Sequence, residues 1–416
     1  MKKQLCILAD FSKGKNAYFF NRHIYEEFFK ELNYLNIIDI SKITKNNLNN
    51  KKKISIIKTN NEKHTQTEIK ENPSPSYDNH YTVFEPRSLE ELNKIFKENN
   101  FIIFYNLNNH FKYFKINLIL LKNNVKKFFI SNLGYNPENF NYKNNTIFKK
   151  LNNFIQFRSE YYVIRFLVLI NLWPKIDYFF ESSSYVINSI NAGLSKKIEK
   201  LTNLNISFYR NVIKINSRSF DNHINFKEKI SEDYIVYIDS GGFDHPDVVL
   251  REGTRSDSEI LKYYNNIYNF LIKLKEMYNK EIVVCLHPKN HISVKRNDYK
   301  NLKCLKFETE KMINKAFIVI YTEGSSIIQA FLLKKKIINL HGKSLGNYIN
   351  ERSKLYSDLL KLKKIDLENY RIEDKKNFLD DLEKCTNNYQ SYVKNNVVND
   401  ETKTGIQQII QYLELK

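Results

Sequence analysis

Apolar runs of strand length alternate with segments of helical length in two successive series along this chain of 416 residues. In the first series the pattern predicts strands at Gln4–Ala9, Leu35–Ile40, Ile54–Ile57, Phe101–Tyr105, Lys127–Ser131 and Ile176–Phe180. The predicted helices are Ala17–Leu32, Leu89–Glu98, Tyr113–Lys122 and Thr146–Leu172, with a long polar loop at 59–80. This alternation is typical of a parallel sheet with helices on both faces.

A second series begins after a polar stretch at 215–233 that has no clear period. Its predicted strands are Tyr234–Asp239, Glu281–Leu286, Leu302–Phe307, Ala316–Tyr321 and Lys336–Leu340, and its predicted helices are Ser256–Tyr278, Ser325–Leu333 and Thr402–Leu413. A chain of this length can bury two cores. The sequence therefore predicts an α/β protein of two Rossmann-like domains, residues 1–225 and 226–416, with an interdomain cleft.

Two predicted strands of the second domain run directly into polar loops. His287 and Pro288 follow one strand, and Thr322–Ser326 follows another. Ligands of open parallel sheets bind at the carboxyl ends of the strands, where such loops lie. An imidazole and two hydroxyls would then face one pocket, which predicts a phosphate site and an enzyme that uses a nucleotide donor.

His287 is the first candidate for this site, and Pro288 fixes the loop behind it. Its ring can donate a hydrogen bond to a phosphate oxygen and, when charged, offset the charge of a leaving group. The alternative is a histidine that only bonds to backbone at the strand end. Lys289 and His291 lie near enough in sequence to add to the same face.

Ser325 and Ser326 follow Gly324 at the predicted start of a helix. Their hydroxyls and the unpaired backbone N–H groups of that helix would form an anion site. The alternative is N-capping, for which serine is a favoured residue. One serine is enough for a cap, so the pair favours ligand binding, and Glu323 is a candidate for the ribose hydroxyls.

A third loop follows the strand that ends at Asp239. A carboxylate at this place can act as a general base towards an acceptor hydroxyl. Gly241 and Gly242 would form a turn in which the backbone can approach a ligand closely, and His245 follows on the same loop. The alternative is a Gly-Gly turn that Asp239 caps.

In the first domain, Asp10 and Glu181 follow predicted strands and are secondary candidates that should line the cleft from the other side. The chain contains neither GxGxxG nor GxxxxGK[ST], which counts against a dinucleotide enzyme and a P-loop NTPase. No DxD-type cluster stands beside a strand end, and no metal site is predicted.

The order of these loops resembles that of bacterial GT-B glycosyltransferases that use CMP-activated acidic sugars. These include sialyltransferases and polysialyltransferases with HP and SS motifs, Kdo transferases of capsule and lipopolysaccharide, and pseudaminic acid transferases. The resemblance covers roughly residues 234–341. In that family the HP histidine and the SS serines bind the CMP phosphate, which here implies His287, Ser325 and Ser326. The sialyltransferase base lies in an acidic-Gly motif, whereas Asp239 is followed by Ser-Gly-Gly.

The resemblance implies a GT-B-like fold and a metal-independent glycosyltransferase without a cofactor. The implied donor is a CMP-activated nonulosonic acid (sialic, pseudaminic or legionaminic acid) or Kdo, and the implied acceptor is a bacterial surface glycan or glycolipid. Pro288, Lys289, Glu323 and Gly324 would bind the nucleotide beside the phosphate site.

Two other classes of function stay open. One is a transferase of the same fold with a UDP-sugar or CDP-glycerol donor, because the sequence does not locate the base and sugar pockets. The other is a basic nucleic-acid-binding protein or a non-catalytic scaffold. We find no RNP-like, helix-turn-helix or zinc motif, so no nucleic-acid partner is predicted.

The net charge of +20 suits an anionic partner such as a membrane surface or an acidic sugar, although the lysines are spread along the chain. The four cysteines have no CxxC spacing, which suits a reducing compartment. The apolar run that ends at Asp10 is too short for a signal peptide, and Tyr161–Trp173 is too short to span a bilayer. We expect a cytoplasmic protein whose membrane contact, if any, is peripheral at the inner face of the cytoplasmic membrane.

Overall fold

The computed structural model describes residues 3–11, 16–44, 81–107, 110–131, 159–184, 186–188, 207–225, 231–287, 298–372 and 374–415. These residues form two sheets, one of seven and one of six strands, in which all paired strands run parallel. Helices connect the strands. The predicted α/β class, built as two parallel sheets of Rossmann-like form, is confirmed.

The first sheet has the strand order β3-β2-β1-β4-β5-β6-β7. Its strands are β1 Gln4–Ala9, β2 Leu35–Asp39, β3 Tyr81–Phe84, β4 Phe101–Tyr105, β5 Lys126–Ser131, β6 Ile176–Glu181 and β7 Tyr209–Lys214. The second sheet has the order β10-β9-β8-β11-β12-β13. Its strands are β8 Tyr234–Ile238, β9 Glu281–Leu286, β10 Lys303–Lys306, β11 Ala316–Tyr321, β12 Lys336–His341 and β13 Lys363–Asp366.

The helices of the first half are Asn16–Leu32, Leu89–Glu98, Phe114–Lys122, Ser159–Leu169 and Arg218–Asn225. Those of the second half are Pro246–Glu252, Asp257–Tyr278, Thr309–Asn314, Ile327–Leu332, Gly346–Leu360, Lys375–Thr386, Gln390–Asn396 and Gly405–Leu413. Short 3-10 turns occur at Phe111–Tyr113, Gly242–Asp244 and Lys343–Leu345.

The second sheet is buried on both faces, which explains its nearly continuous apolar strands. One face packs against the long helix Asp257–Tyr278, which buries Tyr263, Ile267 and Phe270 among others. Ser256 begins this helix with a capping box, since its hydroxyl accepts from the N–H of Glu259 and the Glu259 carboxylate accepts from the N–H of Ser256. The strong cap fixes the helix start and therefore the depth at which its aromatic side chains meet the sheet.

The end of the chain returns to the first sheet. Ile406, Ile409 and Ile410, on the helix Gly405–Leu413, lie in the same buried cluster as the residues of β1 and β4. Asn216 holds this returning segment in place. Its side-chain N–H donates to the carbonyl of Asp400 at 2.6 Å, and its side-chain oxygen accepts from the Asp400 N–H at 3.0 Å. The last helix thus contributes to the core of the first sheet.

Some local predictions differ from the structure. The stretch 215–233, predicted to be aperiodic, contains the short helix Arg218–Asn225, on which Phe220 and Asp221 are buried. Strands β3, β7 and β13 were not predicted; each lies at a sheet edge, where fewer side chains are buried. The predicted strand Ile54–Ile57, the loop 59–80 and the first part of the helix Thr146–Leu172 lie outside the described residues.

Candidate functional site

The candidate site lies at the carboxyl edge of the second sheet. Strands β8 and β11 are neighbours in this sheet. From β8 the chain adds β9 and β10 on one side, and from β11 it adds β12 and β13 on the other, so the topological switch point lies between β8 and β11. Ligands of doubly wound sheets bind at this point. A cavity of about 370 Å³ opens here. Its lining residues are Ile238, Asp239, Ser240, His245, His287, Glu323, Gly324, Ser325, Ser326, Tyr348 and Arg352.

Asp239 is almost fully buried, with 2% of its surface exposed. Its Oδ1 accepts hydrogen bonds from the N–H of Gly241 at 3.0 Å and the hydroxyl of Tyr299 at 3.1 Å. Its Oδ2 accepts from the N–H of His287 at 3.4 Å. This carboxylate therefore ties together the loops that follow β8 and β9 and the segment before β10.

Buried tyrosines surround the Asp239 carboxylate. Burial, followed by the negative charge of Asp239, raises the pKa of both Tyr263 and Tyr299 well above its ordinary value. Tyr299 therefore stays protonated and donates its hydrogen bond to Asp239. Gly242 has a φ of +53° and packs so close that a Cβ atom would lie 2.9 Å from the Tyr263 ring. Only glycine fits this turn, which is why the Gly-Gly pair follows Asp239.

His245 and His287 form a pair across two loops. Their ring centroids are 4.8 Å apart at 78°, an edge-on contact. Gly241, with a φ of +87°, lies beneath them, and a Cβ atom on it would stand 3.3 Å from His245 Cδ2. The two imidazoles thus share one wall of the cavity, and the structure brings together candidates from two different strand ends.

The serine pair faces the same cavity from the loop after β11. Both serines are exposed, and the helix begins only at Ile327, two residues later than predicted. The side chain of Ser326 makes no capping hydrogen bond in the described structure. Gly324 has a φ of +125°, a conformation that favours glycine and turns the loop towards the cavity. The loop is held by the Thr322 hydroxyl, which donates to the Ser240 Oγ at 3.1 Å.

Glu323 forms an ion pair with Arg352. The guanidinium also donates to the hydroxyls of Tyr348 at 3.3 Å and Tyr356 at 2.8 Å. Burial by itself lowers the pKa of Arg352, but the charge of Glu323 and the tyrosines outweigh it, so this pKa is raised. Arg352 was not predicted from the sequence, because it lies inside the helix Gly346–Leu360 and not in a loop that directly follows a strand.

The two secondary candidates of the first domain hold their own loops. Asp10 accepts hydrogen bonds from the Tyr113 hydroxyl at 2.7 Å and the Thr44 hydroxyl at 3.2 Å. Glu181 accepts from the N–H groups of Ser182 at 2.8 Å and Ser183 at 2.9 Å, and burial raises its pKa. Neither is among the described residues that line the cavity.

Pro288, Lys289 and His291 lie outside the described residues, so their predicted contacts stay predictions. In the part of the chain that the structure describes, no cluster of three His, Cys, Asp or Glu side chains could hold a metal ion. No helix in that part is long and apolar enough to cross a membrane.

A second cavity, of about 770 Å³, adjoins the first at Ser325 and Ser326. One wall comes from the helix Arg218–Asn225, through Arg218, Ser219 and Asn222. The other wall is the segment Lys306–Lys311, which begins at the last residue of β10. The serine pair is thus shared by two adjoining spaces, of which the larger extends between the two halves of the chain.

No protein-family model matches the sequence, and no curated protein matches it. Among solved structures, the wall teichoic acid polymerase TagF in a CDPG soak is 12% identical with a TM-score of 0.47, over 99% of this chain and 88% of that one. A glycosyltransferase from Rickettsia africae is 11% identical with a TM-score of 0.45, over 99% and 98% of the two chains. The UDP-GlcNAc 2-epimerase from Methanocaldococcus jannaschii is 13% identical with a TM-score of 0.43, over 99% and 100%.

Proposed function

We propose that this chain is a glycosyltransferase that takes a sugar from a nucleotide-activated donor. The observation that carries the proposal is the cavity at the switch point of the second sheet, which His287 lines together with the exposed serine pair Ser325 and Ser326. These side chains come from loops after β9 and β11. An imidazole and two hydroxyls can hold the phosphate of a nucleotide by hydrogen bonds.

The alternative that the serines only cap a helix has little support. Ser326 stands at the N-cap position of the helix Ile327–Leu332, yet its side chain makes no cap hydrogen bond in the described structure. In contrast, Ser256, Thr404 and Asp374 cap their helices through their side chains. The helix-start hydroxyls at Ser325 and Ser326 therefore have the exposure that a ligand site needs.

The donor we propose is a CMP-activated nonulosonic acid or Kdo. The order of the Asp239, His287 and Ser325 loops supports it, because this order is the one that resembles the CMP-sugar transferases. A net charge of +20 also suits an acidic donor and a glycan or glycolipid acceptor near an anionic membrane. A UDP-sugar or CDP-glycerol donor would use the same phosphate site, so the test must compare the nucleotides directly.

The transfer step needs a neutralised leaving group and a base. The bond from the anomeric carbon to the phosphate oxygen breaks, and the electron pair stays on the phosphate, where His287 and the serines would stabilise the added charge. The acceptor oxygen bonds to the anomeric carbon and loses its proton to a base. Asp239 is the proposed base; His245, in the same cavity, is the second candidate.

A thermal-shift comparison of CMP, UMP, UDP, GDP and CDP tests the proposal. A ligand that binds the native state raises its melting temperature, with an increase that grows with affinity. We expect CMP to stabilise the protein most, and the double variant Ser325→Ala with Ser326→Ala to lose the shift. Selective stabilisation by UDP or CDP would move the assignment to the alternative donors. Absence of any shift with all five nucleotides would contradict the proposed function.

A further inference from the structure

Phe307 has an unusual backbone conformation for a large side chain. It directly follows β10 and has a φ of +62°, in the left-handed region that bulky residues rarely adopt. The side chain is not hidden by this turn, because 81% of its surface is exposed. The fold therefore holds a large apolar ring in solvent through an unfavourable backbone conformation, an arrangement typical of functional sites.

The ring of Phe307 lines the 770 Å³ cavity that adjoins the serine pair. Ser325 and Ser326 line the same cavity, so an extended ligand whose phosphate lies at the serines can reach the ring. Across the cavity, the helix Arg218–Asn225 contributes Arg218. Glu310, which lines the same cavity, interacts electrostatically with the Arg218 guanidinium. The cavity thus places an aromatic ring and a cationic side chain next to the proposed phosphate site, and Glu308 and Glu310 line it as well.

We propose that Phe307 is the platform on which the base of the donor nucleotide stacks. This inference rests on the proposed function and assigns a binding residue for its nucleotide. A nucleobase is planar and stacks on aromatic side chains, while its edges and the attached phosphate accept hydrogen bonds from cationic and hydroxyl donors. Phe307, Arg218 and the two serines, four of the residues that line the cavity, supply this set of groups.

Stacking also predicts what Phe307 does not do. Every nucleobase has a π-face, so a stacking platform tolerates several bases and raises affinity for all of them. The choice between cytosine and uracil would then be made by groups at the edge of the base. A ligand without a base would not use Phe307 at all, and this difference separates stacking from an indirect effect of the residue on its loop.

The test is calorimetric titration of the whole protein with the nucleotide that gives the largest thermal shift, and displacement of that nucleotide by ribose 5-phosphate. Phe307→Ala is expected to weaken nucleotide binding roughly 5- to 100-fold, the range for loss of one stacked base. Binding of ribose 5-phosphate should be unchanged. Phe307→Tyr should keep the wild-type affinity for both ligands.

Two further variants control for stability and for surface truncation. Phe307→Gly removes the backbone strain as well as the ring, so its melting temperature should equal or exceed the wild-type value while nucleotide affinity falls as in Phe307→Ala. Leu261→Ala shortens an apolar side chain that is 60% exposed and lines neither cavity, and it should change neither affinity.

Each contrary outcome has a definite meaning. Unchanged nucleotide affinity in Phe307→Ala, or an equal loss for ribose 5-phosphate, would overturn stacking while the proposed function stands. A wild-type protein that binds none of the nucleotides would overturn both proposals.

Discussion

The carboxylate of Asp239 accepts a hydrogen bond from the backbone N–H of His287 at 3.4 Å. The end of β8 and the loop after β9 are therefore joined at the position of the two strongest catalytic candidates. The same carboxylate accepts from the hydroxyl of Tyr299, which lies in a buried cluster. A change at Asp239 can thus act on the acceptor proton or on the position of His287, and experiments must separate these two effects.

Asp239→Asn is expected to reduce transfer by about 10²- to 10⁴-fold, the usual contribution of a general base. Nucleotide binding should persist, because the remaining amide oxygen can still accept hydrogen bonds from the loop. Rates and nucleotide affinity are measured on the same preparation. A parallel loss of affinity and rate would show that Asp239 only positions the loop.

His245→Gln tests the second candidate for the base. If Asp239 is the base, His245→Gln keeps most of the turnover and the pH profile keeps its shape. A large loss in His245→Gln together with near wild-type turnover in Asp239→Asn would move the base to His245. The comparison is informative because both side chains line the same cavity.

His287→Ala is expected to reduce transfer by about 10²- to 10³-fold, since one donor to a developing anion is removed. The melting temperature should change little, because the side chain is only partly buried. His110→Ala, at an exposed position that does not line the cavity, serves as the matched control. Wild-type turnover in a folded His287→Ala protein would remove this histidine from the mechanism.

The double variant Ser325→Ala with Ser326→Ala should weaken nucleotide binding and leave the melting temperature nearly unchanged. The structure offers a matched control in Ser256, whose hydroxyl caps the helix Asp257–Tyr278. Ser256→Ala should lower stability by about 1 kcal/mol and leave nucleotide affinity unchanged. The reverse result for the serine pair, a loss of stability without a loss of affinity, would mean that it only caps its helix.

Asp221 predicts a pH dependence of stability. Burial is the main cause that raises its pKa to about 8, against the hydrogen bond from the Gly405 N–H, which lowers it. In the unfolded chain the pKa of an aspartate is about 4. The folded protein therefore keeps the Asp221 carboxyl protonated at pH values where the unfolded chain has lost this proton. The stability that the protonated Asp221 carboxyl contributes is fully present below about pH 4 and is lost as the pH rises to about 8.

Asp221→Asn removes this titration. Melting temperatures between about pH 4 and 8 should then fall less steeply than in the wild type, and the variant should be the more stable protein at pH 8. Asp380→Asn, at an exposed position, is the control and should leave the slope unchanged. An identical slope in wild type and Asp221→Asn would contradict the raised pKa.

The central strands of both sheets could be predicted because each is a buried apolar run, as in Ile235–Tyr237 of β8. The edge strands β7 and β13 could not be predicted from apolar runs. Their sequences YRNVIK and KKID carry charged side chains, which an edge strand can expose to solvent. The return of the helix Gly405–Leu413 to the first sheet was also not predictable, because periodicity shows which face is apolar but not which sheet it covers.

The residues of the site divide in the same way, into those that the sequence predicts and those that only the structure reveals. The loops of His287 and Ser325 were recognisable because they directly follow strands whose carboxyl ends must share one edge of the sheet. Arg352 and Tyr299 come from a helix and from the segment before β10, and their contacts with Glu323 and Asp239 depend on tertiary packing. Phe307 was predicted only as the end of a strand, and its positive φ has no sequence signal of the kind that glycine gives.

The most direct measurement is a crystal structure of the protein with its best-binding nucleotide. We expect phosphate oxygens within hydrogen-bond distance, about 2.7–3.2 Å, of the His287 ring and of a hydroxyl of Ser325 or Ser326. The nucleobase should lie against the ring of Phe307. A nucleotide whose phosphate binds outside this cavity would contradict the central claim, whichever nucleotide it is.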